Sequence, residues 1–210
     1  MKNLLIDELN TIPSESMRSE PYDKYFERME ISDEQKQKRI EFSKNFEPIM
    51  LYVLSLAVLM ISNESIDREY LKSQIVNQYL NLVGAYIPVD DYLMFYINIF
   101  AEQIVKSTFE NNGEYFLSYD RARFVSECEA NTILNYSDFV DAVSTGKKYK
   151  TWVDIQDNKE RKTHKEVGGK KIPITEAFAV GNSLLMYPKD NSLGASASEI
   201  VNCRCTVKYS

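Results

Sequence analysis

Apolar residues recur at helical spacing through the first two thirds of the chain. In "SIDREYLKSQIVNQYLNLVGAY" (65–86), Ile66, Tyr70, Leu71, Ile75, Tyr79, Leu80 and Val83 fall on one face of a 3.6-residue repeat, and Gly84 suits its end. A second helix is expected over 89–113, closed by Asn112 and Gly113, and a third over 118–146, closed by Gly146. Upstream, "SDEQ" reads as a capping box, Ser32 with Gln35 three residues later, opening a helix through "KQKRIEFSKNF". Pro48 should break that helix or start the next one, an apolar helix over 49–62. The apolar run 48–62 falls short of the roughly 18–20 residues that span a bilayer, so it reads as a buried core helix and no membrane is expected. Residues 1–31 are polar and acidic, with Pro13 and Pro21, and read as an extended arm or short helices.

After Gly146 the period changes. "KTWVDIQ" is rich in β-branched and aromatic residues, "GGKKIPI" is a turn running into a short strand, "NSLLMYPKDNSLGASAS" is loop-like, and "IVNCRCTVKY" alternates as a strand does. The expected class is α+β: an arm (1–31), a mainly helical body (32–146) and a small, irregular β-rich C-terminal module (147–210).

Composition narrows this picture. With 210 residues, 44% hydrophobic and 27% charged, the chain can bury a sizeable core. Three cysteines make no disulfide framework, and "MKNLLIDELN" has no apolar leader core, so synthesis in a reducing cytoplasm is expected. The net charge of −6 is unevenly spread. Residues 147–210 hold 12 basic and 7 acidic side chains, while 1–146 hold 13 and 24. Such a split suits two segments with different partners, or two solvated surfaces of different composition.

Cys203 and Cys205 stand one residue apart in "NCRC". On a strand they share a face, with Cα atoms about 6.6 Å apart, which strains a disulfide but suits two thiolates on one metal. His164 is the one histidine, and Asp157 precedes it by seven residues. Asp157, His164, Cys203 and Cys205 would form an O, N, S, S set for Zn2+, a structural clip for a loop-rich module. Two readings compete with it. The cysteines can be small core residues, or one can be a catalytic thiol paired with His164, which needs an activating and orienting group that the sequence does not display.

The segment from Trp152 onward resembles the C-terminal module of the phage Mu F-like head morphogenesis family, the minor head or minor capsid proteins. That family carries a tryptophan, an Asp-x3-Arg-x2-His, a glycine, a proline, a Phe, a Tyr-Pro and a final Asn-Cys-Arg-Cys. Here these are Trp152, Asp157, Arg161 and His164, then Gly169, Pro173, Phe178, Tyr187-Pro188 and Asn202 to Cys205. The preceding helix is similar too, with Glu129, Asn131 and Asn135 in place, but Glu127 and Cys128 stand where arginine and threonine are usual. The resemblance covers roughly 121–210. It implies non-catalytic structural work in a tailed phage or prophage, in the virion at the capsid interior or portal vertex after assembly in the host cytoplasm. The implied partners are the portal protein, the scaffold or major capsid protein, and DNA. It also implies metal ligation by the Asp, His and Cys positions.

Within that reading Lys147, Lys148, Lys150, Lys162, Lys165, Lys170 and Lys171 could neutralise phosphates, or simply solubilise the module. Trp152 should anchor the small core. Arg161 and Arg204 should pair with Asp157 or the helical body, or contact phosphate. Gly168 and Gly169 should form a turn with positive φ. Asn202 should cap or hydrogen-bond the loop that presents the cysteines, and Cys128 should be a buried apolar residue. No small-molecule substrate is implied. Two other functions stay open. One is a metal-dependent nuclease or ADP-ribosyltransferase-like effector, for which "DNKERKTH" offers Asp157, Glu160, Arg161 and His164. The other is a host-directed interaction protein built on the same fold.

Overall fold

The computed structural model describes residues 22–111, 113–157 and 159–210. Most of the arm expected over 1–31, and the Asn112 helix stop, lie outside them. The remainder of that arm forms a short helix, α1 (Asp23–Phe26), and a turn. The long helices are α2 (Asp33–Ser62), α3 (Arg68–Gly84), α4 (Asp91–Glu110) and, after a 3-10 turn at Glu114–Leu117, α5 (Tyr119–Ser144). The chain is α+β, as the periodicities indicate.

The helix starts follow local chemistry. Ser32 and Gln35 form the reciprocal capping box: the Gln35 amide donates to Ser32 Oγ at 3.2 Å, and the Ser32 amide donates to Gln35 Oε1 at 3.1 Å. Asp67 and Asp90 cap α3 and α4 by accepting from the amides of Tyr70 and Leu93, each at 2.9 Å. Pro48 does not break the chain. It sits exposed inside α2, where its ring costs one main-chain hydrogen bond, and the helix continues to Ser62.

The chain partitions into two compact units. Among the described residues one holds Ser43–Ser126, and the other joins Tyr22–Phe42 to Glu127–Ser210. These units do not follow the change of texture at residue 146: α2 and α5 each contribute residues to both.

In the first unit Leu71, Ile75, Tyr79 and Val83 are buried at a spacing of four along α3, while Ile66 and Tyr70 from the expected face are exposed. Tyr79 meets Phe46 at 4.3 Å and Phe100 at 5.2 Å between ring centroids. The apolar run 48–62 is part of α2, which, unlike the run alone, is long and apolar enough to cross a membrane by length and composition; its Met50, Val53, Leu54, Ala57 and Val58 are buried in the protein, while Tyr52, Leu59 and Ile61 are exposed.

In the second unit α5 ends in a Schellman cap. Gly146 takes φ +74, its amide donates to the Val143 carbonyl, and the Lys147 amide reaches the Ala142 carbonyl. A three-stranded antiparallel sheet follows, in the order β2 (Lys171–Pro173), β1 (Tyr149–Val153), β5 (Thr206–Tyr209), with Trp152 opposite Val207. Pro173 lies on the edge strand, where a missing N–H is tolerated. The hairpin β3 (Phe178–Val180) and β4 (Ser183–Leu185) and two short helices, α6 (Lys162–Val167) and α7 (Ala197–Ile200), complete the unit. Trp152, Val167, Phe178, Val180, Leu185 and Tyr187 form its core with both cysteines of the C-x-C pair, and Tyr136 and Phe139 of α5 pack against it. Gly169 has the expected positive φ (+74). Gly168 does not; a Cβ there would lie 2.4 Å from Asp154 Oδ1, so a side chain would have to displace that carboxylate.

A polar clamp ties α5 to the cysteine segment. Asn131 Nδ2 donates to the carbonyls of Cys203 and Cys205, both at 3.3 Å. Asn135 Nδ2 donates to those of Pro188 (3.3 Å) and Cys205 (3.1 Å). Arg39 of α2, almost fully buried, fixes the opposite ends of both amides by donating to Asn131 Oδ1 and Asn135 Oδ1, and it pairs with Asp138 at 2.9 Å.

Candidate metal centre

Three short elements converge on one point of this core. Helix α6 carries Thr163 and His164, and α7 carries Glu199. The chain then turns at Asn202, whose φ of +57 is one that asparagine tolerates, and delivers Cys203 and Cys205. The strand expected through the cysteines begins only at Thr206, yet both sulfurs face the same ring nitrogen. Cys203 Sγ is 3.5 Å and Cys205 Sγ 3.4 Å from His164 Nδ1. All three side chains are buried, at 2–3% exposure. For zinc bonded tetrahedrally to sulfur and nitrogen, the S···N separation is about 3.5 Å. The donor set thus fits a single ion, and the three ligand atoms lie within 4.8 Å of one another.

The neighbours of the cluster act on charge. Burial opposes ionisation of Cys203, but hydrogen bonding with Cys205 and His164 and the Cys205 amide, 3.4 Å from its sulfur, outweigh it and hold this thiol well below its usual range. The Cys203 thiolate and burial together push the Cys205 thiol up. Burial pulls His164 down, while hydrogen bonding and attraction to Cys203 reverse this and raise it. On the far side of the ring, Glu199 Oε2 lies 3.2 Å from His164 Nε2 and accepts from Thr163 Oγ1 at 2.8 Å. Trp152 packs edge-on against the imidazole, with centroids 5.7 Å apart.

Asp157, expected as a fourth ligand, stands apart from the cluster. Its carboxylate pairs with Arg204 and accepts from the Lys159 amide at 2.9 Å. Burial works against its charge, but those hydrogen bonds win and hold it below the usual carboxylate range. Arg161 donates to the Val201 carbonyl. Arg161 and Arg204 therefore stitch the 157–161 loop to the cysteine segment. Among the described residues no further His, Cys, Asp or Glu joins the three donors.

Lys147, Lys148, Lys170 and Lys171 are exposed, the last over the Tyr149 ring at 4.9 Å. Lys162 and Lys165 face Glu166 and Glu160. Lys150 cannot meet a phosphate. It is fully buried, its Nζ donates to the Met186 carbonyl at 2.7 Å, and it lies between the rings of Phe139 and Phe178. Glu129 and Trp152 are buried, whereas Asn202 is exposed and acts through its backbone turn, with only a long contact from Cys128 Sγ to its amide oxygen. The sequence reading missed Arg39, Thr163 and Glu199, which no motif marks; only Glu199's place four residues before the cysteines could have drawn notice. A pocket of about 620 Å³ lined by Glu30, Ile31, Ser32, Gln35, Val207, Lys208 and Tyr209 includes none of the cluster side chains.

These features define a helical α+β protein whose C-terminal module is organised around a buried Cys2His cluster. The family model described as "Phage Mu protein F like protein" matches residues 100–208, half the chain, and the chain belongs to that family. It is also similar to an NAD(+)--arginine ADP-ribosyltransferase, EFV, of Enterococcus faecalis (strain ATCC 700802 / V583), 30% identical over 99 residues. That match spans 45% of this chain and only a fifth of the length of the relative. No solved structure matches.

Proposed function

We propose that the chain is a non-catalytic minor head protein of a tailed phage or prophage. In this reading it works in head morphogenesis through contacts with the portal protein and with the scaffold or major capsid protein, and resides in the virion. Its C-terminal module is closed by a structural Zn2+ held by His164, Cys203 and Cys205. Family membership supports the head assignment. The observation that carries a structural role for the site is its burial. Donors at 2–3% exposure cannot present a nucleophile or a metal-bound water to a macromolecular substrate. When bound, the ion would join the α6 end of the module to its last strand and neutralise the paired thiolates. Exposed Lys147, Lys148, Lys170 and Lys171 supply the surface by which the module would face DNA.

The test is quantitative mass spectrometry of purified virions, with co-expression of the chain and its portal protein. Low-copy presence in virions and co-purification with the portal are expected; absence from virions overturns the reading in favour of a host-directed protein. The ADP-ribosyltransferase alternative is carried by the similarity to the Enterococcus faecalis enzyme. NAD+ consumption by the purified chain that is lost in His164→Ala, with the fold retained, would favour it.

A further inference from the structure

The imidazole of His164 is bracketed. Its Nδ1 faces both sulfurs, at 3.5 and 3.4 Å, and its Nε2 faces Glu199 Oε2 at 3.2 Å. A neutral imidazole carries one N–H and one lone pair, and a carboxylate only accepts. From this geometry we infer that Glu199 is the positioning carboxylate of the centre: it is placed to accept from the Nε2 N–H of His164, a buried group with no aligned hydrogen bond among the described residues, and so commits the Nδ1 lone pair to the ion. The inference rests on the metal reading above and adds to it which nitrogen ligates and what fixes it.

Glu199 is itself held from two sides. Thr163 Oγ1 donates to Oε2 at 2.8 Å, from the residue next to His164 on α6. On the other side is Gly181, in the turn of the β3–β4 hairpin at φ +57. A Cβ on Gly181 would lie 2.7 Å from Glu199 Oε1, so glycine there both makes the turn and leaves the carboxylate its place. The ligand and its support come from separate parts of the chain: ring and hydroxyl from α6, carboxylate from α7, space from the hairpin. Glu199 cannot be the fourth ligand, because it sits at the nitrogen remote from the sulfurs. Its placement matches the carboxylate–histidine–metal arrangement that fixes tautomer and ring orientation in metal sites.

Because the chain has a single histidine, long-range 1H–15N correlation on labelled protein reads this ring without assignment ambiguity. The zinc-loaded wild type is expected to show a protonated Nε2 and a coordinated Nδ1. Competition against a zinc chelator should show affinity falling about 10- to 100-fold in Glu199→Ala. Glu199→Gln, which keeps an accepting oxygen, should fall between the two, and Thr163→Val should lose less than Glu199→Ala. In Co2+-loaded samples the sulfur-to-cobalt charge-transfer band should persist in all of them. If the wild type loads zinc through Nε2, or Glu199→Ala binds as tightly as wild type, the positioning role falls and the metal reading stands. If the wild type takes up no zinc or cobalt, both fall. Should Glu199→Ala not fold, the wild-type tautomer alone decides.

Discussion

Single side chains in the second unit carry unusual charge burdens. Lys150 is buried between Phe139 and Phe178, and burial pulls its ammonium down to about 8 despite the attraction of Asp190 and Glu176. The unfolded chain holds this proton up to about pH 10.5, so between pH 8 and 10.5 it binds more protons than the folded chain. Stability contributed by this group therefore rises with pH through that window, by at most about 1.4 kcal/mol per pH unit. Denaturant titrations should show the wild type gaining on Lys150→Met as pH rises from 8 to 10.5; a constant difference would contradict it. Arg39 is the second case. Arg39→Met would leave the buried carbonyl oxygens of Asn131 and Asn135 without this donor and Asp138 without its charge partner, and should cost about 3 kcal/mol in chemical denaturation. The two cysteines and the histidine were legible in the sequence because such residue types are rare here. Glu199 and Arg39 were not, because one carboxylate among 31 and one cation among 25 acquire meaning only when the fold delivers them to a partner. Asp157 misled for a related reason: spacing along the chain shows which residues are near in sequence, not that Arg204 would compete for the carboxylate.

Elements were legible where their ends carry local signals. Ser32 with Gln35, and Gly146, stop and start helices through hydrogen bonds within a few residues, and the structure reproduces them. Pro48 is the exception. The apolar packing of α2 on both sides of it outweighs the hydrogen bond its ring removes. Pro48→Ala should therefore raise stability by about 1–2 kcal/mol. The recovered helix bond and propensity exceed the entropy that proline takes from the unfolded chain, and the exposed side chain gives up no packing. A melting temperature a few degrees higher would bear this out; a lower one would mean the ring is needed where it stands. The strand expected across 200–209 was half right because alternation of apolar and polar residues describes any extended segment. Only Thr206–Tyr209 finds a partner, β1, to pair with.

At the scale of the molecule, the division into units could not be read from composition. The change of texture at 146 is real, but Tyr22–Phe42 and about the last two thirds of α5 belong with the C-terminal module, because Arg39 donates to both Asn131 and Asn135 and the two asparagines donate to the cysteine segment. Metal removal should respect that division. In hydrogen exchange, stripping the proposed zinc with a chelator is expected to speed exchange in β1, β5 and α6, and to leave Leu71, Ile75 and Ile97 in the first unit protected. Uniform acceleration across both units would instead indicate one cooperative block.

The asparagine clamp grips main-chain carbonyls, which every residue possesses, and ignores what hangs from them. The path from Pro188 to Cys205 is thus constrained in length more than in spelling. Exchanges at exposed positions such as Ser198 or Val201 would leave the grip intact. Deleting a single residue between Asn202 and Cys205 would draw carbonyls off their donors and both sulfurs off the ring. Over evolutionary time this stretch, outside Glu199, Cys203 and Cys205, should accept many substitutions and almost no insertions or deletions.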